Sequence, residues 1–118
     1  MKIRYSTRLV FIFKTFVIKI PISKRGYLQC KNEKKLYDKY KHLNLLGELY
    51  WEHYGIISMK RYNTVDLIED NIVYDTKDKI SELNIVRCDL FNPMNWGIDN
   101  NKYILIDYGI NEDISKMY

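Results

Sequence analysis

The chain is poor in the residues that build metal and disulfide sites. Its only cysteines, Cys30 and Cys88, form no Cys-x-x-Cys pair, and its two histidines, His42 and His53, stand apart. A zinc cluster and a disulfide framework are thereby excluded, and two buried thiols in a reducing compartment, the cytoplasm, are expected. No glycine lies between Met1 and Lys19, so no Gly-x-Gly-x-x-Gly phosphate loop precedes that lysine. Long uncharged apolar runs are missing too. The most apolar stretch, LVFIFKTFVIKIPI from Leu9 to Ile22, is interrupted by Lys14 and Lys19, and no small-residue cleavage pattern follows. It predicts a buried hairpin, not a membrane span or a signal segment. Charge of one sign is not concentrated anywhere: 19 basic and 15 acidic residues give +4, with the lysines interspersed among acids. That is thin support for a nucleic-acid partner.

What is present is a hydrophobic fraction of 47% in 118 residues, enough for one compact core and too short for two ordinary domains, so residues 1–118 are read as a single domain. No repeat, linker or low-complexity tract divides them. The segment from Lys2 to Phe13 and the segment from Phe16 to Ile20 are rich in β-branched and aromatic residues and predict two strands about a turn at Lys14-Thr15, with Pro21 closing the second. A polar link, SKRGYLQCK, leads to a helix predicted over Asn32 to Leu46, capped by Asn32, with Leu36, Tyr37, Tyr40 and Leu43 as its apolar face. ELYWEHY and IISMKRY, bracketed by Gly47 and Tyr54-Gly55, predict a second hairpin. Two short helices are expected over Val65 to Ile72 and Lys77 to Leu83, the latter capped by Thr76. Asp99-Asn100-Asn101 supplies a turn before a strand from Lys102 to Ile106, and Asn111 is placed as the cap of a last helix ending at Tyr118.

Two charges fall on otherwise apolar faces. In FVIKIP the alternation puts Lys19 between apolar neighbours, where it serves either as an edge-strand lysine that discourages sheet pairing or as a functional cation. Glu33 shares the side of its helix that carries Leu36 and Tyr37. As a first-turn acid it would complement the helix dipole, and it could equally pair with a lysine on the buried side. Further on, NPMNWGIDNNKYILIDYGI places Asn95 before a tight turn and ends an alternating strand on Asp107-Tyr108-Gly109. A surface hairpin or a pair of oxygen ligands would both explain that pattern.

Taken together, VIKIP with Lys19, the helix glutamate Glu33, CDLFNPMNWG with Asp89 and Asn95, and ILIDYG with Asp107 and Gly109 resemble the protein kinase-like superfamily, especially small members from phages and bacteria. The resemblance runs over about residues 5 to 110. It implies an α+β, reduced kinase-like fold: a small antiparallel sheet with one packed helix, followed by a short helical and loop region. By position it makes Lys19 the strand lysine that holds nucleotide phosphates and Glu33 the helix glutamate that orients it. Asn95 and Asp107 become magnesium ligands, Tyr108 takes the phenylalanine place, and Asp89 is the catalytic base if the protein is active. Mg-ATP is the cofactor so implied.

Departures from the family pattern temper the activity it implies. The family spaces its catalytic aspartate and asparagine by five positions, whereas Asp89 precedes Asn95 by six, and Arg87 is displaced from the aspartate by Cys88. Besides the missing glycine loop, only nine residues follow Gly109, too few for a helical substrate platform. The expectation is a degenerate kinase-like protein that acts as a protein-binding or inhibitory module and binds Mg-ATP weakly or not at all. The resemblance and the small size imply a phage-encoded inhibitor whose partner is a host or defence protein in the host cytoplasm. One alternative is a minimal Mg-ATP-dependent phosphotransferase. Another is a basic nucleic-acid-binding protein using Lys31, Lys34, Lys35, Lys39 and Lys41, although these scatter around the helix.

Overall fold

The computed structural model describes residues 2–5, 7–80 and 90–109. They form an α+β structure with two antiparallel sheets and two α-helices. The first sheet has five strands, β1 (Lys2–Tyr5), β2 (Arg8–Ile12), β3 (Phe16–Pro21), β4 (Leu49–His53) and β5 (Ile56–Lys60), in the spatial order β1-β2-β3-β5-β4. The long α-helix α1 (Lys24–Tyr40) lies between β3 and β4 in sequence and packs against β3 and β5. A smaller sheet of β6 (Asn63–Thr64), β7 (Trp96–Asp99) and β8 (Lys102–Leu105) follows, with α2 (Asp70–Lys79) between β6 and β7.

The turns have the chemistry that hairpins demand. Asn100 and Asn101 both take positive φ (51° and 64°) to join β7 and β8, and Tyr54 (52°) and Gly55 (84°) do the same for β4 and β5. Asparagine and glycine tolerate that conformation best. The second sheet is tied to the first through the chain leaving α1. Leu105 N–H donates to Leu45 O at 2.9 Å, Gly47 N–H donates to Leu105 O at 2.8 Å, and the Tyr108 hydroxyl donates to Gly47 O at 3.0 Å. Fully buried Trp96, Leu105, Tyr108 and Ile57 fill the space between, with Leu36, Leu46 and Met59 around them. The Trp96 indole donates to Leu90 O at 2.8 Å, so its one polar atom is satisfied inside the core. Asp107, two residues past β8, is thereby carried to the inner edge of the first sheet.

Several sequence expectations are corrected. The first predicted strand is two strands, β1 and β2, with Thr7 in the link between them. The helix begins at Lys24, eight residues earlier than Asn32, and its cap is Ser23, whose hydroxyl accepts from Gly26 N–H at 3.0 Å. Gly26 had marked this stretch as a link. Its lack of a side chain instead lets the first turn sit against Thr7 O, which a Cβ would overlap. Glu33 is consequently mid-helix and is not a first-turn acid, and Asn32 is no cap. The helix ends at Tyr40 with a 3-10 turn, Lys41–Leu43, beyond it. The two short helices predicted from Val65 onward are one, α2, whose extended cap residue is Glu69. Thr76 lies inside it, its hydroxyl donating to Ile72 O at 3.0 Å. Lys19 is on the central strand, paired to Val10 on one side and Ile57 on the other, so the edge-strand explanation fails. Arg87, Cys88 and Asp89, the end of the Lys77 to Leu83 segment, and the helix capped by Asn111 lie outside the described residues.

Candidate functional site

The buried stripe of α1 runs Gly26, Gln29, Cys30, Glu33, Leu36, a helical spacing that is apolar at one end and polar at the other. Its polar end faces β2 and β3. Lys19 Nζ donates to both carboxylate oxygens of Glu33 at 3.2 Å, and the two side chains are 9% and 0% exposed. The pair expected from the sequence therefore forms, deep in the sheet–helix interface.

A second cation, absent from the sequence reading, completes the cluster. Arg8 on β2 is buried, its Nη1 donating to Glu33 Oε1 at 3.0 Å and its Nη2 to Asp107 Oδ1 at 3.2 Å. Cys30 Sγ accepts a longer contact from Nη1 at 3.6 Å. The signal for Arg8 was in the predicted turn itself: a bend at Lys14-Thr15 pairs Val10 with Lys19, as observed. Strand alternation then places Arg8, two residues before Val10, on the same face as Lys19 and diagonal to it.

Two carboxylates and two cations balance one another here. Burial pushes the Asp107 carboxyl up, but the charges of Lys19 and Arg8 outweigh it and hold the group below its ordinary range. Its side chain is 45% exposed; burial is the largest single influence on it, and the cations prevail by acting together. For Arg8, burial would weaken the guanidinium, yet Glu33 and Asp107 raise its pKa and keep it charged. Burial also pushes the Cys30 thiol up, against the pull of Arg8, which keeps it protonated and unreactive.

The cluster forms the floor of a cleft of about 690 Å³. Its apolar wall comes from Val10, Ile12, Val17, Met59 and Ile106, and Asn95 and Asp107 both line it. Asn95 is held there by the backbone, its carbonyl accepting from Ile106 N–H at 2.8 Å. The basic residues Lys2, Arg8, Lys19, Arg25, Lys60 and Arg61 line it too, with Asp107 as the one acidic lining residue among the described residues. Lys60 lies 3.5 Å from Asp99, and Arg61 donates to Phe13 O at 2.9 Å. The question raised by Asp107-Tyr108-Gly109 has a packing answer. Gly109 O accepts from Asn32 Nδ2 at 2.9 Å, and a Cβ on Gly109 would fall 2.5 Å from Gln29 O and 2.8 Å from the Glu33 side chain. The glycine lets the segment lie flat against α1, which sets Asp107 beside Arg8.

Magnesium needs oxygen ligands in near-octahedral order, including one or two carboxylates. Asp107 Oδ1 already accepts from a guanidinium, whose charge repels a dication, and among the described residues no group of three or more His, Cys, Asp or Glu is suitably gathered. With that oxygen held by Arg8, Asp107 as placed does not fit that ion. The lysines of α1 are partly engaged as well: Lys31 donates to Glu52 at 2.9 Å and Lys34 to Asp38 at 2.6 Å. Among the described residues no helix is long and apolar enough to cross a membrane. Comparisons with protein-family models, with curated proteins and with solved structures find no match.

Proposed function

We propose that this chain is a reduced kinase-like module that does not transfer phosphate and acts by holding another protein. The observation that carries the reading is the Arg8 fork between Glu33 and Asp107. A kinase-like site needs the strand lysine for phosphates and the aspartate after the sheet for metal-assisted transfer. Here Lys19 and Glu33 have the pairing that such a site uses, while Asp107 is committed to a cation of the chain itself. The link between β1, ending at Tyr5, and β2, starting at Arg8, is where a glycine loop would cover phosphates, and it leaves no room for one. Thr7 is tied down: its carbonyl accepts from the Ser23 hydroxyl at 3.0 Å, and its own hydroxyl contacts Gln29.

Support for a protein partner comes from the β4–β5 hairpin at the sheet edge, which exposes Tyr50, Trp51 and Tyr54, the last 89% exposed. Aromatic residues of this kind dominate binding centres. A host or defence protein bound by a phage-encoded inhibitor is the biological setting that the resemblance implies. The test is transfer of labelled γ-phosphate from Mg-ATP to the chain, to generic proteins and to small hydroxyl acceptors. None is expected. Transfer that is abolished in both Lys19→Ala and Asp107→Ala would overturn the reading and put the minimal phosphotransferase first, with Asp89→Ala as the next variant.

A further inference from the structure

A carboxylate at the cationic end of a phosphate-sized cleft repels phosphate unless a cation covers it. In this chain the covering cation is covalent. Arg8 donates to Asp107 Oδ1 and, through its other arm, to Glu33. We propose that the cleft takes a phosphate-bearing ligand of nucleotide size without a divalent cation, with Arg8 neutralising Asp107 where an ion would otherwise be required. This inference rests on the kinase-like reading of the cleft and deepens it by naming the ligand's chemistry.

Four features support it. The charges of Arg8 and Lys19 balance those of Glu33 and Asp107, and Lys2 and Arg61 on the same cleft favour an anion. Arg8 is also immobilised before any ligand arrives: it is 5% exposed and forked between two acids, so little side-chain freedom is lost on binding. A metal ion cannot take its place cheaply, because displacing the guanidinium would strip fully buried Glu33 of one of its two cations. Finally, the volume of about 690 Å³ lies within the range of small-ligand pockets. Val10, Val17, Met59 and Ile106 offer an apolar surface for a flat ring beside the charged end.

Calorimetric titration of the full chain with ATP in EDTA and in excess magnesium tests this, with tripolyphosphate and adenosine as separate arms to assign the charged and apolar ends. Saturable binding in EDTA is expected, unchanged or weakened when magnesium screens the ligand. Binding that strengthens about tenfold or more with magnesium, or no saturable binding in EDTA, overturns the proposal. Arg8→Gln should lose about tenfold in EDTA and recover with magnesium, since Asp107 is then uncovered. Should that variant fail to fold, Asp107→Asn, altering a half-exposed side chain, decides the matter: it should bind ATP in EDTA within about threefold of the parent. A tenfold loss there would assign Asp107 to the ligand and sink the idea. Absence of ATP binding together with absence of phosphate transfer would remove this inference alone, whereas phosphate transfer would remove the reading beneath it.

Discussion

Arg8 and Asp107, ninety-nine positions apart in sequence, meet at 3.2 Å between Nη2 and Oδ1, and so join the first strand hairpin to the end of the second sheet. The contact makes stability depend on acid. The folded carboxyl of Asp107 is held below its ordinary range: burial raises it, and the larger opposing pull of Lys19 and Arg8 lowers it, with Glu33 beside the same cations. A depressed carboxyl contributes stability that is fully present above the unfolded value, about 3.9, and is lost as pH falls through the lower folded value. Urea unfolding between pH 7 and pH 2 should show the parent more stable than Asp107→Asn at neutral pH, the gap closing below about pH 4. A gap independent of pH would mean that Asp107 contributes through packing and not through charge.

Glu33 carries a heavier burden, because two buried cations depend on it. Removing one member of a buried ionic cluster leaves the others uncompensated, at a cost of about 3–5 kcal/mol. Glu33→Ala should lose that much in denaturant unfolding, against the ~0.3–1 kcal/mol that a first-turn acid would cost. Replacing Lys31, whose partner Glu52 also accepts from Gly55 N–H at 2.8 Å, should cost far less, because its side chain is 42% exposed and the pair is screened by solvent. Equal losses for the two variants would remove the distinction between cluster and surface pair.

Strand pairs and hairpin turns were legible because alternation and positive-φ residues are local signals: the bend at Lys14-Thr15 and the Asn100-Asn101 turn needed no tertiary knowledge. Lys19 with Glu33 was legible too, as two charges on apolar faces that compensate each other. Arg8 was missed because, inside one long strand predicted from Lys2 to Phe13, the face it takes is undefined until the register of β2 on β3 is drawn. The start of α1 was misplaced for a different reason. Gly26 carries poor helix propensity and sits in a polar, link-like stretch, and only contact with Thr7 explains a glycine in that turn. Boundaries of this kind are set by tertiary contact, which propensity does not encode.

That explanation of Gly26 can be checked by contrast with Gly47. A Cβ on Gly26 would overlap Thr7 O and approach Arg8, and the overlapped atom is backbone that Ser23 also holds. The methyl cannot be absorbed by a rotamer change, so β2 or the first turn of α1 must shift, at about 1–3 kcal/mol. A Cβ on Gly47 would meet Ile106 at 3.4 Å, ordinary contact distance, with no positive φ to forbid it. There the loss of unfolded-state freedom acts alone, and alanine should be neutral or stabilising by up to ~1 kcal/mol. Thermal unfolding of the two single variants should therefore move in different directions, Gly26→Ala downward and Gly47→Ala level or upward. Because Arg8 begins the strand that Gly26 supports, the lowered variant should also lose affinity for ATP in EDTA, and a Gly26→Ala protein with parental stability and binding would place the helix start elsewhere.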